Sequence, residues 1–364
     1  MIVAFGRLHL DTLTKAMNRV FSKSAPCEGK VLRLVLPFAV LVFGALPGAD
    51  CQTSAAEFKN PVVSHRQDPW VIRWRTNYFF CQSRARGISV NQSPRLEGIG
   101  TNQWKRVWTP PTGTHYSREL WAPELHFLQG RWYIYFAADD GHNPDHRMYV
   151  LEGDTDDPQG PFTFKGKIAA PTDRWAIDGT VLEMPGGKIN FIWSGWPEST
   201  DGAQNVYIAP MSNPWTISGE RVCISQPDRD WEQRDFPKIN EGPEALWHDG
   251  HLFIIYSASA FWDENYCLGQ LTWTGGDVTN PQSWVKKPQP VFVHTDKVSG
   301  PGHCSFVKSP DGKEDWIVYH AHITKDKNER DIRMQPFTWN LDGSPNFGEP
   351  ISPGISLPSP SGEN

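Results

Sequence analysis

From residue 57 onward, the hydrophobic and polar positions follow a strand pattern rather than a helical one. Short apolar runs such as Trp132-Tyr133-Ile134-Tyr135-Phe136 and Leu252-Phe253-Ile254-Ile255-Tyr256 alternate with stretches rich in proline, glycine and aspartate. No part of this region keeps a 3.6-residue period for more than a turn or two. Nearly continuous apolar runs of this length are typical of strands that are buried on both faces. The pattern therefore predicts an all-β protein.

Five segments of the chain share one layout, in which a polar head residue precedes an apolar strand, a turn and an aromatic-rich strand. The heads lie 54 to 63 residues apart and are Asp68, Glu124, Asp178, Glu241 and His303. Turn pairs such as Asp249-Gly250 and Asp311-Gly312 favour hairpins within the segments. Each segment leaves room for two further strands, and a repeated four-stranded unit of about 60 residues is typical of a propeller blade. We therefore expect a five-bladed β-propeller, with a large β-sandwich as the alternative.

The repeat also indicates where chemistry takes place. The innermost strand of each propeller blade lines the central axis, so the five heads are expected to converge on one pocket there. Converging carboxylates shift one another's pKa values, and proteins keep such clusters mainly at functional sites. Glycoside hydrolysis requires two carboxyl groups, one protonated and one ionised. The chain also has 17 tryptophans, whose flat faces suit the packing of sugar rings. Together these features indicate an active site for carbohydrate on the axis.

Five short motifs at the heads carry a resemblance to a known family. In order they are Gln67-Asp68-Pro69-Trp70, Trp121-Ala122-Pro123-Glu124, Ala176-Ile177-Asp178-Gly179, Glu241-Gly242-Pro243 and Gly300-Pro301-Gly302-His303. With this order and spacing the chain resembles glycoside hydrolase family 43, whose members are five-bladed propellers with three essential carboxylates. The resemblance implies that Asp68 is the general base, Glu241 the general acid, and Asp178 the residue that orients the acid and tunes its pKa. It also implies inversion of configuration, with the carboxyl groups of Asp68 and Glu241 about 6.5–9.5 Å apart.

Other residues are expected to complete the pocket. Candidates for sugar binding follow the heads, end inner strands or resemble a family arginine, and they are Trp70, Trp193, Trp196, Phe261, Trp262 and Arg333. His303 resembles a family histidine that helps to hold calcium or another ion near the axis, often through water. The resemblance thus leaves room for a structural ion, although the chemistry requires no cofactor. Glu244 is the rival of Glu241 as the acid, and Glu124 is expected to make structural hydrogen bonds.

Three segments are most similar to the α-L-arabinofuranosidases of the family, namely Trp121-Ala-Pro-Glu-Leu-His126, Gly300-Pro-Gly-His-Cys-Ser-Phe306 and Arg333-Met-Gln-Pro-Phe337. This similarity implies release of L-arabinofuranose from α-1,5-arabinan or arabino-oligosaccharides of plant cell walls. A β-xylosidase or an endo-arabinanase would share the catalytic apparatus and differ in its subsite loops. A non-catalytic carbohydrate-binding propeller is the alternative from a different functional class.

The first 56 residues differ in composition from the rest of the chain. Basic residues from Lys15 to Arg33 precede the uncharged run Leu34 to Leu46, which contains Pro37 and is short for a membrane span. This pattern is typical of a secretory signal. A net charge of −6 also argues against a nucleic-acid partner. We therefore expect a leader over 1–56, a propeller over 57–350, a Pro/Ser-rich tail over 351–364, and a secreted or periplasmic protein without a stable membrane anchor.

Overall fold

The computed structural model of the protein describes residues 56–101, 103–323 and 329–363. The expected leader, apart from Ala56, lies outside these ranges. Within them the chain forms 23 strands and four short 3-10 helices. The helices are Leu96–Gly98, Asn143–Asp145, Asp230–Glu232 and Pro281–Ser283. The expectation of an all-β chain is therefore confirmed.

The strands follow one another in antiparallel order along the chain. They are β1 (Glu57–Lys59), β2 (Trp70–Trp74), β3 (Asn77–Arg84), β4 (Gly87–Ser93), β5 (Trp104–Trp108), β6 (Arg118–Leu128), β7 (Arg131–Asp139), β8 (Arg147–Gly153), β9 (Phe162–Ile168), β10 (Ala176–Glu183), β11 (Ile189–Gly195), β12 (Asn205–Asn213), β13 (Thr216–Ile217), β14 (Val222–Ser225), β15 (Asn240–His248), β16 (His251–Ala258), β17 (Cys267–Trp273), β18 (Trp284–Lys286), β19 (Gly302–Lys308), β20 (Asp315–His322), β21 (Arg330–Trp339), β22 (Pro345–Asn346) and β23 (Ser356–Pro358).

Five sheets of four or five strands form the blades of the propeller. Blade one contains β2 to β5, blade two β6 to β9, blade three β10 to β14, blade four β15 to β18 and blade five β19 to β22. Each blade begins with its inner strand and then returns through hairpins, including the turns at Gly130, Gly250 and Gly312. The five-bladed propeller expected from the repeat is confirmed.

Hydrophobic side chains fill the space between neighbouring blades. Five buried clusters occur, one at each of the five blade interfaces. Between blades one and two, for example, Phe79 and Ile88 pack with Trp132 and Ile134. Such strands are covered on both faces, which explains why their sequences are nearly continuous apolar runs. The interface between blades five and one completes the ring, where Val71 and Val318 belong to one cluster.

Segments before and after the blades close the ring. Val62 and Val63 pair with Ile332 of β21, so the chain before blade one adds to the edge of blade five. The Asn60 amide donates to the Met334 carbonyl over 2.8 Å and accepts from its N–H over 2.9 Å. Within the expected tail, β23 pairs with β1. Backbone hydrogen bonds thus hold both ends of the described region against the propeller.

The inner strands share a backbone feature at their heads. At the head of each inner strand an equivalent residue has a positive φ, and these residues are Asp68 (51°), Ala122 (39°), Asp178 (51°), Gly242 (51°) and His303 (44°). In a residue other than glycine this conformation costs about 1 kcal/mol or more, and such strain occurs mainly at functional sites. In blades two to five the strand register shifts at this position. The structural equivalent of Asp178 is therefore Ala122 in blade two and Gly242 in blade four, so Glu124 and Glu241 lie two residues after and one residue before the shared position.

Candidate active site

A cavity of about 390 Å³ lies on the axis, where the inner strands begin. Its lining includes Asp68, Asp178, Glu241 and His303, which come from blades one, three, four and five. These residues are 62 to 235 positions apart in the chain. The propeller therefore gathers three carboxyl groups and an imidazole into one cavity, through the backbone bulges at the inner strand heads.

The carboxylate of Asp68 is held by cationic and imidazole groups. Its Oδ1 lies 3.3 Å from Nη1 of Arg330, 3.3 Å from Nδ1 of His320 and 3.5 Å from Nδ1 of His303. Burial alone would raise the pKa of this carboxyl, but His303, Arg330 and His320 together hold it well below its usual range. Burial and the nearby Arg330 lower the pKa of His320 to about 3. Asp68 is therefore ionised beside a neutral His320 at neutral pH.

Glu241 is in the opposite state. Its side chain is buried, and its Oε1 accepts a hydrogen bond from the Tyr266 hydroxyl over 2.8 Å. Burial raises the pKa of Glu241 to about 7, and Asp68 adds to this effect while the Tyr266 hydrogen bond and Arg330 oppose it. Burial also raises the pKa of Tyr266, so this hydroxyl stays protonated and donates. The cavity thus contains one ionised carboxylate and one carboxyl group that binds a proton near neutral pH.

Asp178 interacts electrostatically with both Asp68 and Glu241. Its Oδ2 accepts a hydrogen bond from the N–H of Gly242 over 3.1 Å, next to Glu241 in the chain. Burial, followed by the charges of Glu241 and Asp68, raises the pKa of Asp178. Since Asp178 and Glu241 interact, their protons are lost in steps that belong to the pair. The backbone link through Gly242 fixes the position of Asp178 relative to Glu241.

Two glycines allow this packing. Gly242 adopts a φ of 51°, and a Cβ on it would lie 3.1 Å from Nδ1 of His303. A Cβ on Gly302 would lie 2.2 Å from the Tyr266 ring. Any larger residue at position 302 would therefore push Tyr266 out of contact with Glu241.

His303 separates two of the carboxylates. Its Nδ1 lies 3.5 Å from Asp68 and 4.0 Å from Asp178, and burial lowers its pKa, so the ring is neutral at neutral pH. Calcium takes six to eight oxygen ligands. Within the ranges that the structure describes, no three or more His, Cys, Asp or Glu side chains are placed to hold a metal ion. The axial ion stays a prediction, and no step of the chemistry is assigned to it.

Aromatic rings form much of the cavity wall. Trp175 and Trp196 stack with ring centroids 4.9 Å apart and planes 9° from parallel. Trp121, Phe261 and Trp262 complete this apolar lining. The guanidinium of Arg330 lies over the Phe261 ring at 4.1 Å, so one side chain connects the aromatic wall to Asp68. Such a wall suits the apolar faces of a sugar ring.

Three of the residues expected to bind sugar lie outside this lining. Trp70 packs on His126 with centroids 4.3 Å apart, and its Nε1 donates to the Leu125 carbonyl. Trp193 is buried between blades two and three. Arg333 is buried opposite Tyr319 in blade five. Of the expected sugar-binding residues, the structure brings Trp196, Phe261 and Trp262 to the cavity.

Sequence reasoning missed several residues that surround the carboxylates. Arg330, rather than Arg333, reaches Asp68, and Tyr266 reaches Glu241. His320 contacts Asp68 through its ring, and its Nδ1 accepts a hydrogen bond from the Asp68 N–H over 3.1 Å. Arg330 begins a strand, directly opposite His322, where the preceding strand ends. This position was the sequence signal that could have marked Arg330 as a residue of the site. No comparable signal marked Tyr266.

Glu124 and Glu244, two further acidic residues of the inner strands, do not line the cavity. Oε2 of Glu124 lies 2.8 Å from Nε2 of His126, as expected for a structural role. Burial, followed by the proximity of Glu124, raises the pKa of Glu244. Glu124 and Glu244 occupy equivalent positions, two residues after Ala122 and Gly242, and they form a pair distinct from the residues that face the cavity.

Comparison with known proteins agrees with this geometry. The chain is 38% identical over 336 residues to an extracellular exo-α-(1→5)-L-arabinofuranosidase of Streptomyces avermitilis, which covers 87% of this chain and 69% of the relative. A protein of the same name from Streptomyces chartreusis is 35% identical, covering 78% of this chain and 88% of the relative. The crystal structure of an α-L-arabinofuranosidase from Lactobacillus brevis superposes with a TM-score of 0.76 at 37% identity, covering 82% of this chain and 98% of the other.

A protein-family model also matches most of the chain. Residues 58–345 match the model of glycosyl hydrolases family 43, and this range contains the five blades except for Asn346, the last residue of β22. The match includes Asp68, Asp178 and Glu241, which the propeller brings to one cavity with a lowered pKa for Asp68 and raised pKa values for Asp178 and Glu241. On this evidence the chain belongs to glycoside hydrolase family 43.

Proposed function

We propose that this protein hydrolyses α-1,5-linked arabinan or arabino-oligosaccharides with inversion and releases L-arabinofuranose. The observation that carries the proposal is the pairing of an ionised Asp68 with a Glu241 whose pKa is raised to about 7 in one aromatic-walled cavity. Hydrolysis of a glycoside needs a base and an acid in these two states. The names of the relatives from the two Streptomyces species support the choice of sugar and linkage.

In the proposed reaction, Glu241 donates its proton to the glycosidic oxygen as the bond from that oxygen to the anomeric carbon breaks. Asp68 accepts a proton from a water molecule, and the water oxygen forms a new bond to the anomeric carbon from the opposite face. The products are β-L-arabinofuranose and a shortened chain with a free hydroxyl. Room for the water requires a separation of about 6.5–9.5 Å between the two carboxyl groups, as for other inverting enzymes.

Asp178 is proposed to position the acid and to adjust its pKa. It accepts the Gly242 N–H over 3.1 Å and interacts electrostatically with Glu241. Burial and the charges of Glu241 and Asp68 raise the pKa of Asp178, so Asp178 and Glu241 bind and release protons as a coupled pair. The family's hydrolytic chemistry needs no cofactor, since two carboxyl groups and water supply every proton that moves.

The aromatic wall is proposed to hold the terminal sugar. Trp196, Phe261 and Trp262 offer flat apolar surfaces, and Arg330 offers hydrogen-bond donors beside Asp68. The proposal extends to Trp121 and Trp175, which line the same cavity. A β-xylosidase or an endo-arabinanase would use the same carboxyl groups, so the substrate has to be tested directly.

The test is to assay nitrophenyl α-L-arabinofuranoside, nitrophenyl β-D-xyloside and linear α-1,5-arabinan side by side. We expect arabinose from the first and third substrates, with the β-anomer seen first by proton NMR. Release of the α-anomer would refute the roles of Asp68 and Glu241. Turnover of the xyloside alone would mean that the sugar released is xylose rather than arabinofuranose. Sugar binding without turnover of any pentoside would favour a carbohydrate-binding propeller.

Export is proposed from the leader pattern and from the names of the relatives, which include the word extracellular. In the part of the chain that the structure describes, none of the helices is long and apolar enough to cross a membrane. Edman sequencing of the protein recovered from the medium would locate the cleavage site. The domain limits 1–56, 57–350 and 351–364 stay predictions as well.

A further inference from the structure

A second cavity of about 500 Å³ lies beside the proposed catalytic cavity. Its wall is formed by the hairpin between β3 and β4, the segment before β6 and the start of β6. Trp121 lines both cavities. The second cavity, here called the basic groove, has a larger volume than the catalytic cavity, and the proposed reaction makes no use of it.

A small cavity of about 120 Å³ connects the two. It shares Gln67 and Asp68 with the catalytic cavity and Ser83 and Leu120 with the basic groove, and Trp121 lines all three. A substrate bound at Asp68 can therefore extend along one continuous surface into the groove. The groove is placed to contact parts of the substrate beyond the sugar that is released.

The groove carries a net positive charge. Arg84, Arg86 and Arg118 line it, and within the described ranges none of them forms an ion pair with a carboxylate. The Arg84 guanidinium lies over the Trp104 ring at 4.3 Å, outside the lining, so Arg86 and Arg118 are the arginines placed to meet a ligand. Burial, followed by the charges of Arg66 and Arg106, lowers the pKa of Arg84, which indicates a local excess of cations. The one carboxylate in the lining, Glu119, accepts a hydrogen bond from Nε1 of Trp121 over 3.3 Å. The protein as a whole has a net charge of −6, so this concentration of arginines is a local property.

The backbone of the groove wall is strained. The two-residue turn between β3 and β4 has Ala85 at φ 42° and Arg86 at φ 64°, where Asn-Gly or Asp-Gly is usual. Glu119, on the other wall, has φ 43°. Guanidinium nitrogens of Arg106 donate to the Arg84 carbonyl over 2.8 Å and to the Ser89 hydroxyl over 3.1 Å, which fixes the turn. Residues other than glycine in this conformation cost stability, and such costs are kept mainly where function requires the shape.

From these observations we propose that the basic groove binds carboxylate-bearing sugars, that is, uronate residues of the polysaccharide whose arabinose is removed at the neighbouring cavity. The proposal rests on the proposed function for the identity of the substrate. Guanidinium groups match carboxylates with paired hydrogen bonds. Hydroxyl groups of Thr109, Thr112 and Ser117 in the lining suit the neutral hydroxyls of the same sugars. The shared Trp121 gives the ligand a ring face to pack on.

A binding experiment tests this proposal without any turnover. Oligogalacturonate is titrated into the wild type, into Arg86→Gln/Arg118→Gln, and into the matched control Arg75→Gln/Lys313→Gln. The control pair removes two exposed cations from hairpins at the opposite end of the inner strands. We expect the groove variant to bind about tenfold more weakly with a flatter salt dependence, and the control to bind like the wild type. Equal affinity in all three proteins would overturn the proposal.

Two further ligands identify what the groove recognises. A neutral arabino-oligosaccharide is expected to bind the groove variant and the wild type equally. If inorganic phosphate or single-stranded DNA competes as well as oligogalacturonate at equal charge, the groove is a general anion site and the assignment to uronates is wrong. Failure of the proposed function is recognised separately, because it appears as absent arabinose release from the nitrophenyl arabinofuranoside by the wild type.

Discussion

The Tyr266 hydroxyl donates a hydrogen bond to Oε1 of Glu241 over 2.8 Å, and both side chains are buried. This bond stabilises the ionised form of Glu241 and so opposes burial, which raises the pKa of that carboxyl to about 7. The relationship matters because a general acid works only while it is protonated. The proposed activity is therefore expected to fall as the pH rises through about 7, and Tyr266 is expected to set where this alkaline limb lies.

Replacing Tyr266 with phenylalanine tests this role. Loss of a hydrogen bond to the charged form raises the pKa of Glu241, so the alkaline limb of kcat/KM is expected to move up by about one pH unit. The acidic limb is expected to stay in place, because Tyr266 does not contact Asp68. The measurement is the pH profile of kcat/KM on nitrophenyl arabinofuranoside. An alkaline limb that stays at the wild-type pH, with only a lower rate, would show that Tyr266 serves packing alone.

Arg330 is expected to influence both the acidic and the alkaline limb of the pH profile of kcat/KM. Its guanidinium lies 3.3 Å from Oδ1 of Asp68 and lowers the pKa of both Asp68 and Glu241. In Arg330→Met both pKa values rise, so the acidic limb moves into a higher pH range, by about one unit or more, and the alkaline limb follows. Arg330→Lys keeps the charge and is expected to restore most of the position of the acidic limb.

The control for this prediction lies on the same strand. Arg333 is also buried, but it does not line the cavity, so Arg333→Met is expected to leave both limbs where they are. If Arg330→Met lowers kcat/KM at every pH and moves neither limb, Arg330 binds the substrate without influencing Asp68. If Arg333→Met shifts the acidic limb instead, the assignment of the arginine that reaches Asp68 is wrong.

Glu241 and Glu244 are buried on the same strand, and a pair of variants distinguishes their roles. Glu241→Gln removes the proposed acid and is expected to lower kcat on arabino-oligosaccharides by about 10²–10⁴-fold. The loss is expected to be much smaller on dinitrophenyl arabinofuranoside, whose leaving group needs little protonation. Burial and the nearby Glu124 raise the pKa of Glu244, which favours its protonated form, so Glu244→Gln is expected to keep most of the activity.

Comparison of the two substrates gives the decisive measurement. Equal losses on both substrates in Glu241→Gln would argue against proton donation by Glu241. Loss of activity in Glu244→Gln, with an unchanged melting temperature, would return Glu244 to consideration as the acid. Thermal unfolding of both variants is therefore measured alongside the kinetics.

The propeller and its carboxylates were predictable because they depend on features that repeat along the chain. Turn pairs such as Asp249-Gly250, the apolar inner strands and the heads Asp68, Asp178 and Glu241 recur at the length of a blade. Burial between blades makes the strand pattern strong, since both faces need hydrophobic residues.

Which residues occupy equivalent positions on the inner strands of different blades was not predictable, because this depends on backbone bulges. Glu124 is a head by spacing, but the bulge in blade two gives the shared position to Ala122 and leaves Glu124 two residues further along the strand. Glu241, one residue before Gly242, lines the cavity, whereas Glu124, two residues after Ala122, does not. Spacing alone does not contain this information.

The residues that surround the carboxylates were harder to predict for a related reason. Trp70 and Trp193 belong to strands whose side chains pack between blades, whereas Trp196 and Trp262 come from segments beyond strand ends. Arg330 and Arg333 lie on one strand, yet of the two only Arg330 lines the cavity, because it is the first residue of that strand. Which member of such a pair reaches the site follows from tertiary packing.

Trp262 and Trp70 were both expected to bind sugar, and the structure gives them different roles that truncation can distinguish. Trp262 is partly exposed in the cavity, where its Nε1 donates to Oδ2 of Asp235 over 2.6 Å. Trp262→Ala is expected to raise KM for arabino-oligosaccharides about five- to tenfold, through loss of ring stacking, with little change in melting temperature. Trp70→Ala removes packing on His126 and is expected to lower the melting temperature by several degrees, with KM nearly unchanged. A raised KM in Trp70→Ala with unaltered stability would mean that substrate reaches the surface around Trp70, and the cavity would then extend further across blade one than the lining residues indicate.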